Sequence, residues 1–285
     1  MISAQNTAPI LTAKVDPNST YFRTAPNDLI QGAVVADFIG GELALDRVAV
    51  VSDGTVYSEE IVSVFERKVG SYGVSELQSF KVDRASDLTA IATSFVRGGF
   101  QGVYMPVNSP VCENLMDAIA ATPGSTGLEV VTSDACVVNS AVPSATKVRA
   151  FGSGPDVTAL LRKPFYDTEY RSAYRSTFGR EPLSLWNTSA FDAANLMFNA
   201  IERSALKQGD GSILIPRRAL TEMMRTVNGY NGVSNKLACA STGDCVQSAT
   251  IGIFQAPAWP VGGEAQSARP VFSKAGSLAS AIRGD

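Results

Sequence analysis

The 285 residues carry 24 basic and 27 acidic side chains, a net charge of -3, and 45% hydrophobic residues. That describes a globular chain with a real core, long enough for one large or two ordinary domains, and excludes a broad basic field for nucleic acid. Histidine is absent, which excludes Ser-His-Asp, Cys-His and His–metal chemistry within this chain.

Met1-Ile2 begins as a strand-like pair and runs into a polar turn that holds Gln5 and Thr7. From Leu45 to Gly152 strands and helices alternate. Arg47 to Asp53 is a short buried-strand pattern. Ile61, Val62, Phe65 and Val69 then repeat at helical spacing, and Gly70 is placed to stop that helix. Ser75 to Val82 alternates as a strand; Asp87 to Val96 is a helix with Leu88, Ile91 and Phe95 on one face. Gly102 to Pro106 is a strand, Cys112 to Ala121 a helix, and Leu128 to Thr132 and Lys147 to Phe151 are strands. This alternation predicts βαβ units, a parallel sheet and helices on both of its faces. Ligands in such sheets lie beyond the carboxyl ends of the strands, where Asp53, Pro106 and Thr132-Ser133-Asp134 fall. No G-x-G-x-x-G or P-loop pattern follows any strand, so dinucleotide and P-loop readings fail.

From Pro155 to Asn228 the pattern is helical only. Phe165 to Phe178 is aromatic-rich and ends at Gly179. Leu185 to Ser204 is strongly apolar, with Ala190, Ala194, Met197 and Ile201 in one stripe and Phe191 and Phe198 beside it. Arg217 to Val227 is a shorter helix. Strand patterns resume at Leu237–Cys239 and Ala249–Phe254, and the last ~25 residues read as a loose Gly-, Pro-, Ser- and Ala-rich tail with room for one strand. Burying each large apolar side chain contributes roughly 1.5–3 kcal/mol, so the 185–204 helix needs a broad surface. Only Met1-Ile2 is left to start a second sheet; most of that sheet is expected to be absent, as in a fragment, or to come from another chain.

The four cysteines permit two disulfides. Cys239 and Cys245 flank a Gly-containing turn between strand patterns, which can bring them within bridging distance. Cys112–Cys136 is the other candidate pair. The alternatives are buried free thiols; a zinc site lacks the usual ligand spacing. No apolar run approaches the ~20 residues of a membrane span. The start shows neither the basic nor the apolar region of a secretory signal.

Several motifs recur in a familiar order. Tyr21-Phe22-Arg23-Thr24-Ala25-Pro26-Asn27-Asp28 leads to Gln31-Gly32; Asp53 is followed by Tyr57-Ser58; Gly179-Arg180-Glu181-Pro182 precedes Ala190-Phe191-Asp192-Ala193-Ala194; Asn228 to Val233 precedes Gly243-Asp244. Together with the opening turn they resemble the type I periplasmic binding proteins of the Leu/Ile/Val-binding family, with Ser58 for the usual Gly and Phe191 for the usual Tyr. The resemblance implies an α/β fold of two lobes, with parallel sheets flanked by helices, the first lobe here being incomplete. It maps residues 1–28 and 155–232 to lobe 1, and residues 29–154 and 233–285 to lobe 2. It further implies an extracytoplasmic solute-binding protein of an ABC importer, periplasmic or at the cell surface, partnered by a transporter permease, with no cofactor, no metal and no catalysis.

The same resemblance supplies candidate ligand residues. Thr7 matches the threonine that grips an amino acid head group, and Gln5 lies in the same turn; the plain alternative for Thr7 is a turn former. Tyr57 matches a tyrosine lining the cleft, and otherwise is a packing aromatic at a helix start. Asp134 matches the acidic residue that pairs with an α-ammonium, Glu being commoner there; otherwise it is an N-cap. Asp28 matches a crossover position near the hinge and could equally cap a helix. Asn108 stands where amino-acid binders tend to have an aromatic, which favours a polar or amide-bearing solute. Two other classes compete: a ligand-sensing domain of a receptor or regulator with the same architecture, and a doubly wound enzyme using Asp53 and Asp134 as acid and base or Mg²⁺ ligands. Asn18-Ser19-Thr20 and Asn187-Thr188-Ser189 fit the glycosylation pattern, as expected by chance.

Overall fold

The computed structural model describes residues 1–137, 148–156, 158, 160, 164–182, 184, 186–259 and 268–283. The predicted strand start at Lys147, the predicted helix start at Leu185 and residues 260–267 of the tail lie outside the described residues.

Two short strands open the chain, β1 (Ile2–Ser3) and β2 (Phe22–Arg23), paired in parallel. Helix α1 (Asp28–Ala36) begins at Asn27, whose side chain accepts the Leu29 N–H at 3.0 Å. It runs on through a π-helical stretch, Asp37–Glu42. The alternating region follows as β3 (Arg47–Ser52), α2 (Val56–Val69), β4 (Glu76–Lys81), α3 (Leu88–Arg97), β5 (Gly102–Met105), α4 (Val111–Ala121), β6 (Glu129–Thr132) and β7 (Arg149–Pro155). Thr55 and Asp87 cap α2 and α3 by accepting the N–H groups of Ser58 and Ala90.

The remaining elements are α5 (Ser172–Phe178), α6 (Asn187–Ser204), β8 (Leu206–Lys207), β9 (Ile213–Leu214), α7 (Arg217–Arg225), β10 (Asn228–Asn231), β11 (Lys236–Ala238), β12 (Ser248–Gln255), β13 (Phe272–Ser277) and α8 (Leu278–Arg283). Seven strands form one sheet in the order β4-β3-β5-β6-β7-β12-β13. The five from β4 to β7 are parallel, and β12 and β13 join antiparallel. The chain therefore winds outward in both directions from β3 and β5, and the crevice between their carboxyl ends is the position such sheets offer a ligand.

Alternation along β3 shows why both faces are covered. Ala49 and Val51 face Phe95, Leu115 and Met116 of α3 and α4, while Val48 and Val50 face Phe38, Val62 and Phe65 of the α1–α2 side. Besides this sheet, β1–β2, β8–β9 and β10–β11 each form a two-stranded sheet. β11 pairs with β10, and Cys245 N–H donates to the Arg23 carbonyl at 3.0 Å, so residues 236–245 lie against the N-terminal strands.

Gly70 caps α2, which ends at Val69 as expected; a 3-10 turn, Gly70–Tyr72, follows, and Gly73, at φ 82°, makes the left-handed turn out of it. Three expectations are corrected. The stretch 155–228 is not purely helical, since β8 and β9 make a small hairpin. The tail holds the one strand allowed for it, β13, paired with β12 along six residues, but it is not loose, since α8 follows and packs near α1. Finally, α6 does not bury the predicted stripe. Ala190 and Ala194 are exposed, Phe198 is 61% exposed, and the inward face is Ser189, Asp192, Ala193, Leu196 and Ala200. The reason is Asp192. Its carboxylate accepts the N–H groups of Val233 at 2.7 Å and Ser234 at 2.8 Å, which fixes the roll of the helix. A Cβ on Gly232 would sit 2.4 Å from that same carboxylate, so the two motif residues answer to one contact.

Candidate functional site

Gln5, Asn6, Thr7, Ala8 and Leu11 of the opening loop meet Tyr57, Asn108, Asp134 and Ala135 around one cavity of about 340 Å³. The opening loop supplies one wall. The other comes from the start of α2, the loop after β5 and the turn after β6, all at the carboxyl ends of the parallel strands. Ile10 N–H donates to Glu60 of α2 at 3.0 Å, tying the walls together at the rim.

Each predicted residue has a definite place. Thr7 is buried, and its carbonyl accepts the Asp28 N–H at 3.1 Å. Tyr57 is half-buried in the first turn of α2, where Thr55 does the capping; its hydroxyl donates to Asp134 Oδ1 at 3.0 Å. Asp134 caps no helix: its Oδ1 also accepts from Gln31 Nε2 at 2.8 Å. Burial raises the Asp134 carboxyl above its ordinary pKa, with Gln31 and Tyr57 opposing. Asp28 is not the cap of α1 either, since Asn27 takes that role. Asp28 is not a cavity-wall residue; it lies fully buried behind Thr7.

Asn108 is exposed, and its backbone N–H and Nδ2 both donate to Asp53 Oδ2, at 3.0 and 2.9 Å. Its amide nitrogen is thus committed to joining the loops after β3 and β5. Burial raises Asp53, but the hydrogen bonds from Thr55 and Asn108 outweigh it and hold the carboxyl below its usual range. Asp53 therefore braces the switch point and does not face Asp134 across the cavity, of which it is not a lining residue. Among the described residues no group of three or more acidic, Cys or His side chains could hold a metal.

Sequence reading missed two residues that hold this arrangement. Gln31 ties Asp134 to Ser153 Oγ at 3.0 Å, linking the ends of β6 and β7. Arg23 is fully buried and pairs with Asp244, while its other nitrogens donate to Thr12 Oγ1, the Asn6 carbonyl (3.3 Å) and the Ala8 carbonyl (2.8 Å). It shapes the cavity loop from below. Both were visible only as members of the Phe-Arg-Thr and Gln-Gly motifs. Cys112–Cys136 is bonded and joins α4 to the turn carrying Asp134; Cys239–Cys245 is bonded and closes the turn that presents Asp244.

The model of the periplasmic binding protein family matches residues 3–252. No curated protein matches. Among solved structures, the leucine binding protein LivK of Thermotoga maritima is 19% identical, with a TM-score of 0.73 over 89% of this chain and 69% of its own. The branched-chain amino acid binding protein LivJ of Streptococcus pneumoniae, solved with isoleucine, is 15% identical, with a TM-score of 0.70 over 97% and 72%. A solute binding protein of an ABC transporter from R. palustris, solved with benzoate, is 13% identical, with a TM-score of 0.74 over 97% and 71%. With its doubly wound mixed sheet and a family match spanning most of its length, the chain belongs to the periplasmic binding proteins, in their type I form.

Proposed function

We infer that this protein is an extracytoplasmic solute-binding component of an ABC importer, and that it takes a small amino-acid-like or amide ligand between two lobes. The lobes are residues 1–28 with 155–232, and 29–154 with 233–285; the pairing of β11 with β10 favours moving the last crossing to just before β12. One observation carries the reading. Gln5 and Thr7 from one side, and Tyr57, Asn108 and Asp134 from the other, line the same cavity. Such a volume suits a small solute, and its polar groups are few and convergent.

The charge of the lining selects among solutes. Among the described residues it holds a carboxyl, a phenol, a hydroxyl and amides but no lysine or arginine. That favours a cationic head group over a lone carboxylate such as benzoate, the ligand of one structural neighbour. The hinge is expected to close the lobes on the ligand, and a permease to read the closed form. No helix among the described residues is long and apolar enough to cross a membrane.

Thermal-shift and tyrosine-fluorescence titrations test this. L-Leucine, other amino acids and glycinamide are expected to raise the melting temperature, and N-acetyl-leucine and benzoate to leave it unchanged. A flat response to every amino acid and amide, or a response to benzoate alone, overturns the reading.

A further inference from the structure

Asp28 sits at the first position of α1, wholly buried, with neither carboxyl oxygen hydrogen-bonded. The groups that face it come from five parts of the fold. Thr7 lies in front, in the cavity wall, and Asp134 beyond it, in the turn after β6; Tyr57 and Glu60 come from α2, Tyr104 from β5 and Arg23 from β2. The one cation in that set is already engaged, since Arg23 pairs with Asp244. Glu60 adds a second acid, occupied by Ile10 N–H. The Tyr104 hydroxyl, also fully buried, has no hydrogen-bond partner. So two carboxyls act on each other here, Asp134 in the cavity wall and Asp28 buried behind it, and among the described residues no free cation faces them.

We propose that Asp28 holds a proton jointly with Asp134 in the empty cleft, and that a ligand entering ammonium-first displaces that proton to solvent. This rests on the cleft being the binding site. A buried carboxylate with no cation of its own and at most the Thr7 hydroxyl near it is too costly to keep charged, so it is neutralised by protonation. Burial first, and then the Asp134 charge, raise Asp28 well above the ordinary carboxyl range, with Thr7 and Arg23 opposing and Glu60 adding to the rise. Two neighbouring carboxyls titrate as a pair. When R–NH3⁺ settles on Asp134, its charge replaces that of the shared proton. One H⁺ leaves, the carboxyl pair gains one negative charge, and no bond of the ligand changes. The consequence is selective: affinity for ammonium ligands rises with pH over the range in which the pair loses its proton.

The first measurement needs no ligand. Carboxyl carbon shifts of ¹³C-labelled aspartate in the full chain are followed against pH. One resonance is expected to titrate well above the ordinary aspartate range, to vanish in Asp28→Asn, and to move down in Asp134→Asn. If every aspartate in the wild-type chain titrates within or below that range, the proposal is overturned, whether or not either variant folds. The second is calorimetry of L-leucine and glycinamide binding near neutral pH in phosphate and in Tris, whose different ionisation heats count released protons. Release of about one proton per ligand, lost in Asp28→Asn, supports the proposal. Binding with no release overturns it and leaves the cleft reading standing. If neither probe binds, the cleft reading fails and this inference falls with it.

Discussion

Asp28 and Asp37 stand on one continuous helical segment, both buried, and they live under opposite rules. Asp37 points to the closed side of the sheet, where Lys68 of α2 reaches it at 3.0 Å and Lys274 of β13 at 2.6 Å, and the Tyr72 hydroxyl donates to it. Burial raises its pKa, but these three donors more than cancel the rise and hold it below the usual range. Asp28 lies on the cleft side behind Thr7, and neither of its oxygens has a hydrogen bond comparable to these, the Thr7 hydroxyl being the one donor near it. The same residue type on the same helix is a fastening in one place and an unbalanced charge in the other. The difference teaches that burial alone does not mark a functional acid; burial without a partner does.

Four experiments can break or sharpen that contrast. Asp37→Ala has the largest expected effect on stability, since it leaves two lysines facing each other. A loss of about 2–3 kcal/mol in denaturant unfolding is expected, below the fully buried figure because Lys274 is half exposed. The contribution of Asp37 has a sign. Its folded pKa is depressed, so its stabilisation is present above the ordinary aspartate value and fades as pH falls through the folded one. Asp37→Asn should therefore flatten the acid side of a stability–pH curve.

Next is Asp134→Asn, which removes the charged partner of an incoming ammonium. A charge-assisted hydrogen bond contributes roughly 1.5–3 kcal/mol, so L-leucine affinity should fall about ten- to a hundredfold while the melting temperature changes little. An unchanged affinity would place the ammonium elsewhere.

Asp28→Asn should act oppositely to Asp37→Asn. The folded pKa of Asp28 is raised, so the stability linked to its proton is complete below the ordinary aspartate value and is lost as pH climbs through the folded value. The amide cannot ionise, so the variant should be more stable than wild type by on the order of 1 kcal/mol at pH 8, with the gap closing near pH 4. A variant that is less stable at both pH values would mean that Asp28 has a partner after all.

The smallest effect belongs to Tyr72→Phe. Tyr72 donates to Asp37, and that hydrogen bond first, with burial next, pushes its phenol up to about 12. Removing a half-exposed donor should lower stability by about 0.5–1 kcal/mol, and the loss should disappear in an Asp37→Ala background.

The cavity residues and the α6 helix were read by different routes. Thr7, Tyr57 and Asp134 were named by the family resemblance, and period alone placed only Asp134 at a strand end. The stripe on α6 misled because hydrophobic spacing says which residues could be buried together, not which face the tertiary structure turns inward. The hydrogen bonds that the backbone N–H groups of residues 233 and 234 donate to Asp192 made that choice. Gln31 and Arg23 escaped attention because an isolated Gln or Arg has no periodicity; each gains meaning from a partner distant in sequence, Asp134 or Asp244.

Local pattern was enough for the βαβ alternation and the strand-end placement of Asp53 and Asp134, because these depend on neighbours a few residues away. Tertiary structure alone decided that the 5–11 loop closes over the sheet edge, that Asp37 meets two lysines and that Asp28 meets none. Charge balance inside a protein depends on which distant side chains share a small dry volume, and only the folded chain determines that.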